Sequence, residues 1–262
     1  PQQGVTAPIL AVLFLILRTI LVPSHSRDSD HDIALHNDLC CGRRPVWTRR
    51  SFMALGASAL MMATRSAQAR GPLLEPALTL SLQTGQDRVM ALTLDACSGG
   101  FDHRVADALI AWSVPATLFL TARWIAANPE GLQLIRENSA LFAIGNHGAQ
   151  HIAPVLGPSS VYGVKAAGTL EAIAAEVQGG AEAIKHATGI MPKWYRGATA
   201  LYSPEAVPVI EQAGFALAGF SVNGDEGASL SAAAVTHRIM QARHGDVIIA
   251  HINQPHRPSG AG

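Results

Sequence analysis

The sequence predicts an α/β fold in which a parallel sheet carries helices on its outside. Three observations carry that prediction. Short apolar runs rich in β-formers alternate with amphipathic stretches of helical period from residue 89 to residue 250. Several runs stop at a polar residue followed by small residues or glycine, the place where parallel α/β sheets gather their chemistry. The 262 residues are 48% hydrophobic, enough to fill a sizeable core.

Taken in order, Val89–Leu94 reads as a buried strand that ends at Asp95. The segment Ala96-Cys97-Ser98-Gly99-Gly100 then turns sharply. Asp102–Trp112 reads as a helix, with Val105, Ala106, Leu109 and Ile110 on one side. Val114–Leu120 is a second strand, Glu130–Glu137 a helix, and Leu141–Ile144 a short strand. Leu170–Ala187 reads as a surface helix, with Ile173, Val177 and Ile184 inward and Glu171, Glu176 and Glu182 elsewhere. Trp194–Tyr195, Ala216–Val222 and Val247–Ala250 are the later strands, separated by helices at Pro204–Ala213 and Ser231–Arg243.

Ahead of this region lie two others. Residues 1–47 form an N-terminal extension with an apolar run, Pro8 to Val22, interrupted by Arg18. That run is shorter than the roughly 20 residues a spanning helix prefers. Residues 48–69 contain Arg49-Arg50, the small apolar stretch Ala54 to Ala63, and Ala67-Gln68-Ala69. Charged start, short apolar middle and A-x-A end are the three parts of an export signal, and paired arginines suit the twin-arginine type. Cleavage after Ala69 would leave residues 70–262 as a catalytic domain, exported to the periplasm or beyond. Membrane contact is then expected only through the signal or the apolar run. The formal net charge of zero gives no reason to expect a nucleic-acid partner. Cys40, Cys41 and Cys97 contain no CxxC pair, so no disulfide framework is expected.

The strand ends hold the candidate chemistry. Asp95 is a lone carboxylate at the end of the first strand; the plain alternative is a turn cap. His147 and His151 are spaced i, i+4. On a helical turn that spacing puts both rings on one side, able to share a cation at about 2.0–2.1 Å per Zn–N bond. Arg196, beside a Gly-containing turn, can hold a carboxylate with its planar fork. The turn through Thr199 offers backbone N–H groups to an oxyanion. His251 directly follows a β-rich run and suits a general acid. Asp225 can raise its basicity and set its tautomer. His244 and His256 read as loop residues.

Together, Thr93-Leu94-Asp95, His147-xxx-His151, Arg196-Gly-Ala-Thr, Asp225 and Ile249-Ala-His251 resemble, in order, the motifs of the polysaccharide deacetylases. These carbohydrate esterases act on chitooligosaccharides and peptidoglycan. The resemblance spans about Val89 to His256. It implies a distorted (β/α) barrel of about seven parallel strands, and metal-assisted removal of acetyl groups from a glycan substrate. His147 and His151 would hold a divalent metal, with zinc the expected ion. Asp95 would be the base, His251 the acid, Arg196 the orienting partner of Asp95, and Asp225 that of His251; the Thr199 backbone would meet the oxyanion.

The sequence also departs from that pattern. The family's second consecutive aspartate, a metal ligand, is here Ala96. Asp102 is the nearest later carboxylate, but it stands where a helix cap belongs. Thr199 replaces the usual Tyr and Glu226 the usual Trp. The chain ends soon after the last motif, which implies a barrel incomplete at its C-terminus with an exposed sheet edge. A catalytically silent sugar-binding relative that has lost its metal is therefore the competing expectation. A serine hydrolase built on Ser98 is weaker, because no G-x-S-x-G elbow surrounds that residue. The oligomeric state is not readable from the sequence.

Overall fold

The computed structural model describes residues 71–81 and 89–262. The extension 1–47, the export signal 48–69, Cys40 and Cys41 lie outside the described residues. The elements run β1 (Ala91–Ala96), α1 (His103–Ala111), β2 (Ala116–Leu120), α2 (Ala122–Ala127), α3 (Pro129–Glu137), β3 (Phe142–Asn146), β4 (Ala153–Leu156), β5 (Ser160–Val161) and β6 (Val164–Gly168). They continue with α4 (Leu170–Thr188), β7 (Trp194–Tyr195), α5 (Ala206–Gln212), β8 (Ala216–Leu217), β9 (Val222–Asn223), α6 (Ala232–Met240) and β10 (Val247–His251).

Seven strands form one sheet in the order β8-β7-β3-β2-β1-β10-β9. Every pairing in it is parallel. This is the α/β half-barrel that the sequence implies. The strand expected over Ala216–Val222 is instead two. Its first part pairs with β7 and its second with β10, so it leaves one edge of the sheet and re-enters at the other. The joining residues keep both contacts: Ala218 N–H donates to Tyr195 O, and Ser221 N–H to Val247 O. The sheet does not close into a full barrel: β8 and β9 are its two end strands, each paired on one side, and this joint links them. Pro76–Leu78 runs alongside, with Ala77 bridged to Phe220. Gly219 permits the approach, since a Cβ there would collide with the carbonyl oxygen of Pro76.

Strand alternation sorts the side chains. Leu94, Ala96, Leu118 and Leu120 join Phe101, Leu109, Trp124, Leu132 and Ile135 in an apolar layer under α1–α3. Ile173, Val177, Tyr195, Tyr202, Ile210 and Phe215 form a second cluster under α4 and α5. The opposite face of β1 carries the buried polar pair Thr93 and Asp95. Two elements were not expected. Helix α2 is too short to show a period, and the small sheet β4-β6-β5 runs through a Gly- and Ser-rich stretch that reads as loop.

The middle of α4 is pressed against the loop after β3. Asn146 Nδ2 donates to Val177 O at 2.8 Å, and Ala149 N–H donates to Glu176 O at 3.0 Å. Gly180 makes this possible: a Cβ there would collide with Asn146 Oδ1 and stand 2.5 Å from the carbonyl carbon of Gly148. On helix propensity alone, Gly180→Ala should stabilise by about 1 kcal/mol. The collision reverses the sign, and the variant is expected to lose about 1–3 kcal/mol, read as a lower denaturant midpoint.

Candidate active site

The site is built around two charges with almost no access to solvent. Arg196, just past β7, is completely buried, and Asp95 on β1 is 3% exposed. Arg196 Nη1 donates to Asp95 Oδ1 at 2.9 Å and to Thr93 Oγ1 at 2.8 Å. Its Nε and Nη2 donate to the carbonyls of Ala218 and Gly219, at 3.2 and 3.0 Å. The guanidinium also lies over the Phe119 ring, 4.4 Å from its centre. Burial pushes the Asp95 carboxyl up, but Arg196, then His147 and His251, outweigh it and hold it below its usual value. Asp95 therefore keeps its charge, with Oδ1 held by Arg196 and Oδ2 turned toward His147 Nε2 at 3.8 Å.

His147 follows β3 and is 1% exposed. Its Nδ1 lies 2.6 Å from Arg196 O. A carbonyl only accepts, so Nδ1 carries a proton and Nε2 is the nitrogen that faces the site. Burial lowers the basicity of this ring, but Asp95 and Cys97 outweigh it and raise it above the ordinary histidine value. His151 is brought within 5.1 Å of it, ring centre to ring centre, by a loop and not by the helical turn expected from the i, i+4 spacing. The backbone at His151 is left-handed, φ 63°. Glu176 holds that conformation, because its carboxylate accepts from the N–H groups of Gln150 and Ile152 on either side. Glu176 is thus 5% exposed, contrary to the expectation that it faces away from the buried side of its helix.

His251 ends β10 directly beside Asp95, its register partner on β1. Its Nδ1 and backbone N–H both engage Asp225, at 2.9 and 2.7 Å. Burial lowers the basicity of this ring, but the Asp225 hydrogen bond and Cys97 outweigh it and raise it well above the ordinary histidine value. The ring keeps 16% exposure, the opening through which a substrate would reach it.

Cys97 is the residue that reading the sequence missed. It is buried and free, with Sγ 3.4 Å from His147 Nε2. One donor atom each from Cys97, His147 and His151 lie within 4.8 Å of one another. Burial pushes the thiol up, yet the facing His147 and hydrogen bonds from His147, His151 and His251 hold it well below its usual value. The available signal was parity: Thr93, Asp95 and Cys97 alternate along one face, while Ala96 packs into the apolar layer.

The remaining candidates sit as follows. Thr199 has φ 70°, an outlier for a β-branched residue, and its buried Oγ1 has no hydrogen-bond partner among the described residues. Asp102 caps α1 and is bound through both oxygens by Arg104, which fits the cap reading. Glu226 pairs with Arg238 at the surface. No hydrogen bond joins the Ser98 hydroxyl to an imidazole among the described residues. Beside His151 opens a groove of about 470 Å³, lined by Arg123, Gln150, Ile152, Gly163, Val164 and Lys165.

A parallel half-barrel with a buried carboxylate and imidazoles gathered at its strand ends defines an α/β fold class of the (β/α) barrel kind. The family model for polysaccharide deacetylase matches residues 83–218, just over half of the chain. The chain belongs to that family. Among curated proteins nothing matches. Among solved structures, a CE4 family pseudoenzyme from Bacillus anthracis is similar at 19% identity and TM-score 0.52, over 66% of this chain and 58% of that one. A family 4 carbohydrate esterase from Streptomyces lividans in complex with acetate shares 20% identity and TM-score 0.53, over 66% and 82%. The peptidoglycan deacetylase PdaC from Bacillus subtilis shares 21% identity and TM-score 0.53, over 69% and 81%. What is shared at these identities is the fold.

Sequence alone suggests that Asp95→Asn leaves folding intact. The buried pair argues otherwise, because the amide strands the Arg196 charge. A loss of about 3–5 kcal/mol is expected. The wild-type Asp95 contribution is present above the unfolded carboxylate pKa and fades as pH falls through the lower folded one. Acid titration of stability should therefore be flatter in the variant than in the parent.

Proposed function

We propose that this protein is an exported, metal-dependent hydrolase that removes acetyl groups from N-acetyl or O-acetyl positions of a glycan. The observation that carries the reading is the pairing of Asp95 and His251 on adjacent strands, each held by its own buried partner, beside the imidazoles of His147 and His151. The donor chemistry fits a divalent ion such as zinc, since His147 commits Nδ1 to Arg196 O and turns Nε2 into the site beside His151. When bound, that ion supplies Lewis acidity toward the acyl carbonyl and lowers the pKa of water.

The chain's own groups divide the proton work. Asp95 Oδ2, the oxygen not held by Arg196, accepts the proton from the attacking water. His251 carries protons on both nitrogens, one committed to Asp225, and delivers the other to the leaving amine or alkoxide. The turn at Thr199 offers backbone N–H groups to the developing oxyanion. The groove beside His151 has the cations Arg123 and Lys165 in its walls and suits the sugar hydroxyls and carboxylates of a glycan.

The competing reading is a silent sugar binder. Ala96 favours it, as does the fold likeness to a pseudoenzyme. The two separately braced acid–base groups favour catalysis, because sugar binding alone requires neither.

Two variants test the proposal. Asp95→Asn is expected to lower acetate release about 10²–10⁴-fold at a temperature where circular dichroism shows it folded. Near-normal turnover would remove the base. Asp225→Asn should weaken the hold on protonated His251. The acid must be protonated, so kcat/KM falls as pH rises through its pKa. In the variant that falling limb should move to lower pH by about one unit or more. An unmoved limb would take the role from His251.

A further inference from the structure

Cys97 follows Asp95 by two residues, and the extended backbone turns both side chains toward the same interior. The backbone there is held firmly. Thr121 Oγ1 donates to Cys97 O at 2.6 Å, and Asn253 Nδ2 donates to Ser98 O. The thiol makes no disulfide, and of the imidazoles around it those of His147 and His151 share one donor cluster with it. Around one tetrahedral zinc, Zn–S and Zn–N bonds of about 2.3 and 2.0–2.1 Å put ligand atoms roughly 3.3–3.6 Å apart. Sγ of Cys97 already stands 3.4 Å from Nε2 of His147, and the widest of the three separations is within 4.8 Å. Closing that gap takes about 1 Å, within the reach of a ring rotation at His151. The orientation of the His147 ring is an independent pointer. Its Nδ1–H is committed to Arg196 O, the outer contact that metal-bound imidazoles make, and its Nε2 faces the thiol.

We propose that Cys97 is the third protein ligand of a Cys–His–His divalent metal site with His147 and His151, leaving one position open for water or substrate. The inference rests on the metal-dependent reading above and deepens it. The thiol proton leaves to solvent as the ion enters. A thiolate beside two imidazoles is a soft donor set. It selects zinc over magnesium, calcium or manganese, which suit oxygen ligands. The site therefore has three side-chain donors without a carboxylate, the number that catalytic zinc sites use.

The test uses the full chain carrying Cys40→Ser and Cys41→Ser, so that of its three cysteines only Cys97 remains. Loaded with Co²⁺, this protein is expected to show a thiolate-to-cobalt charge-transfer band in the near ultraviolet. Cys97→Ser in the same background should lose the band. Its zinc affinity, measured by chelator competition, should fall by more than the roughly 10–100-fold that loss of an outer contact costs. Cys97→Asp should keep the metal without the band, which separates loss of a ligand from loss of the fold. Cobalt bound to the parent without the band, or zinc bound as tightly by Cys97→Ser, would overturn the assignment. Either result leaves the deacetylase reading standing on acetate release. A thiolate–cobalt band in a protein that releases no acetate would fell the catalytic reading alone. An acetyl adduct on Cys97 after substrate exposure would make it a nucleophile and overturn its place as a ligand.

Discussion

A guanidinium with no solvent contact must find its counter-charge and its acceptors inside the protein. Arg196 finds Asp95, Thr93 and the carbonyls of Ala218 and Gly219, and it stacks on Phe119. Those partners belong to β1, β2 and the joint between β8 and β9. One side chain therefore ties the centre of the sheet to the segment that links its two edges. The same contacts keep Asp95 ionised and leave one of its oxygens directed at His147. The interaction that holds the half-barrel together and the one that prepares the base are the same.

The rest of the site is braced by groups that a catalytic scheme would not mention. Glu176 reaches out of α4 to fix a left-handed His151, and Asn146 ties the same loop to Val177. Thr121, Trp124 and Asn128, on and around α2, donate to the backbone carbonyls of the Gly-rich turn after β1. Asp225 binds His251 through backbone and ring at once. Left-handed backbone at a non-glycine residue costs on the order of 1–3 kcal/mol, and His151 and Thr199 both carry it beside the proposed chemistry.

How much of this was legible depends on range. Asp95, His147, Arg196, Asp225 and His251 were readable because each ends a strand, and parallel strands deliver their ends to one rim. The α/β alternation was readable for the same reason. The split of Ala216–Val222 was not, since a seven-residue apolar stretch does not reveal that its partners change midway. Glu176 looked solvent-facing because helix periodicity records apolar positions and is blind to a carboxylate that caps a distant loop. Cys97 was weighed only as a disulfide candidate. Its parity with Asp95 was available, but the two histidines that cluster with it come from a segment some fifty residues away.

The most direct test of the account is acetate release by the full chain from a panel of N-acetyl and O-acetyl glycans. It is run as purified, after removal of divalent ions by chelation, and after zinc is restored. The account predicts acetate release that disappears with the metal and returns with zinc. A zinc-loaded, folded protein that binds these glycans and frees no acetate from any of them would contradict it.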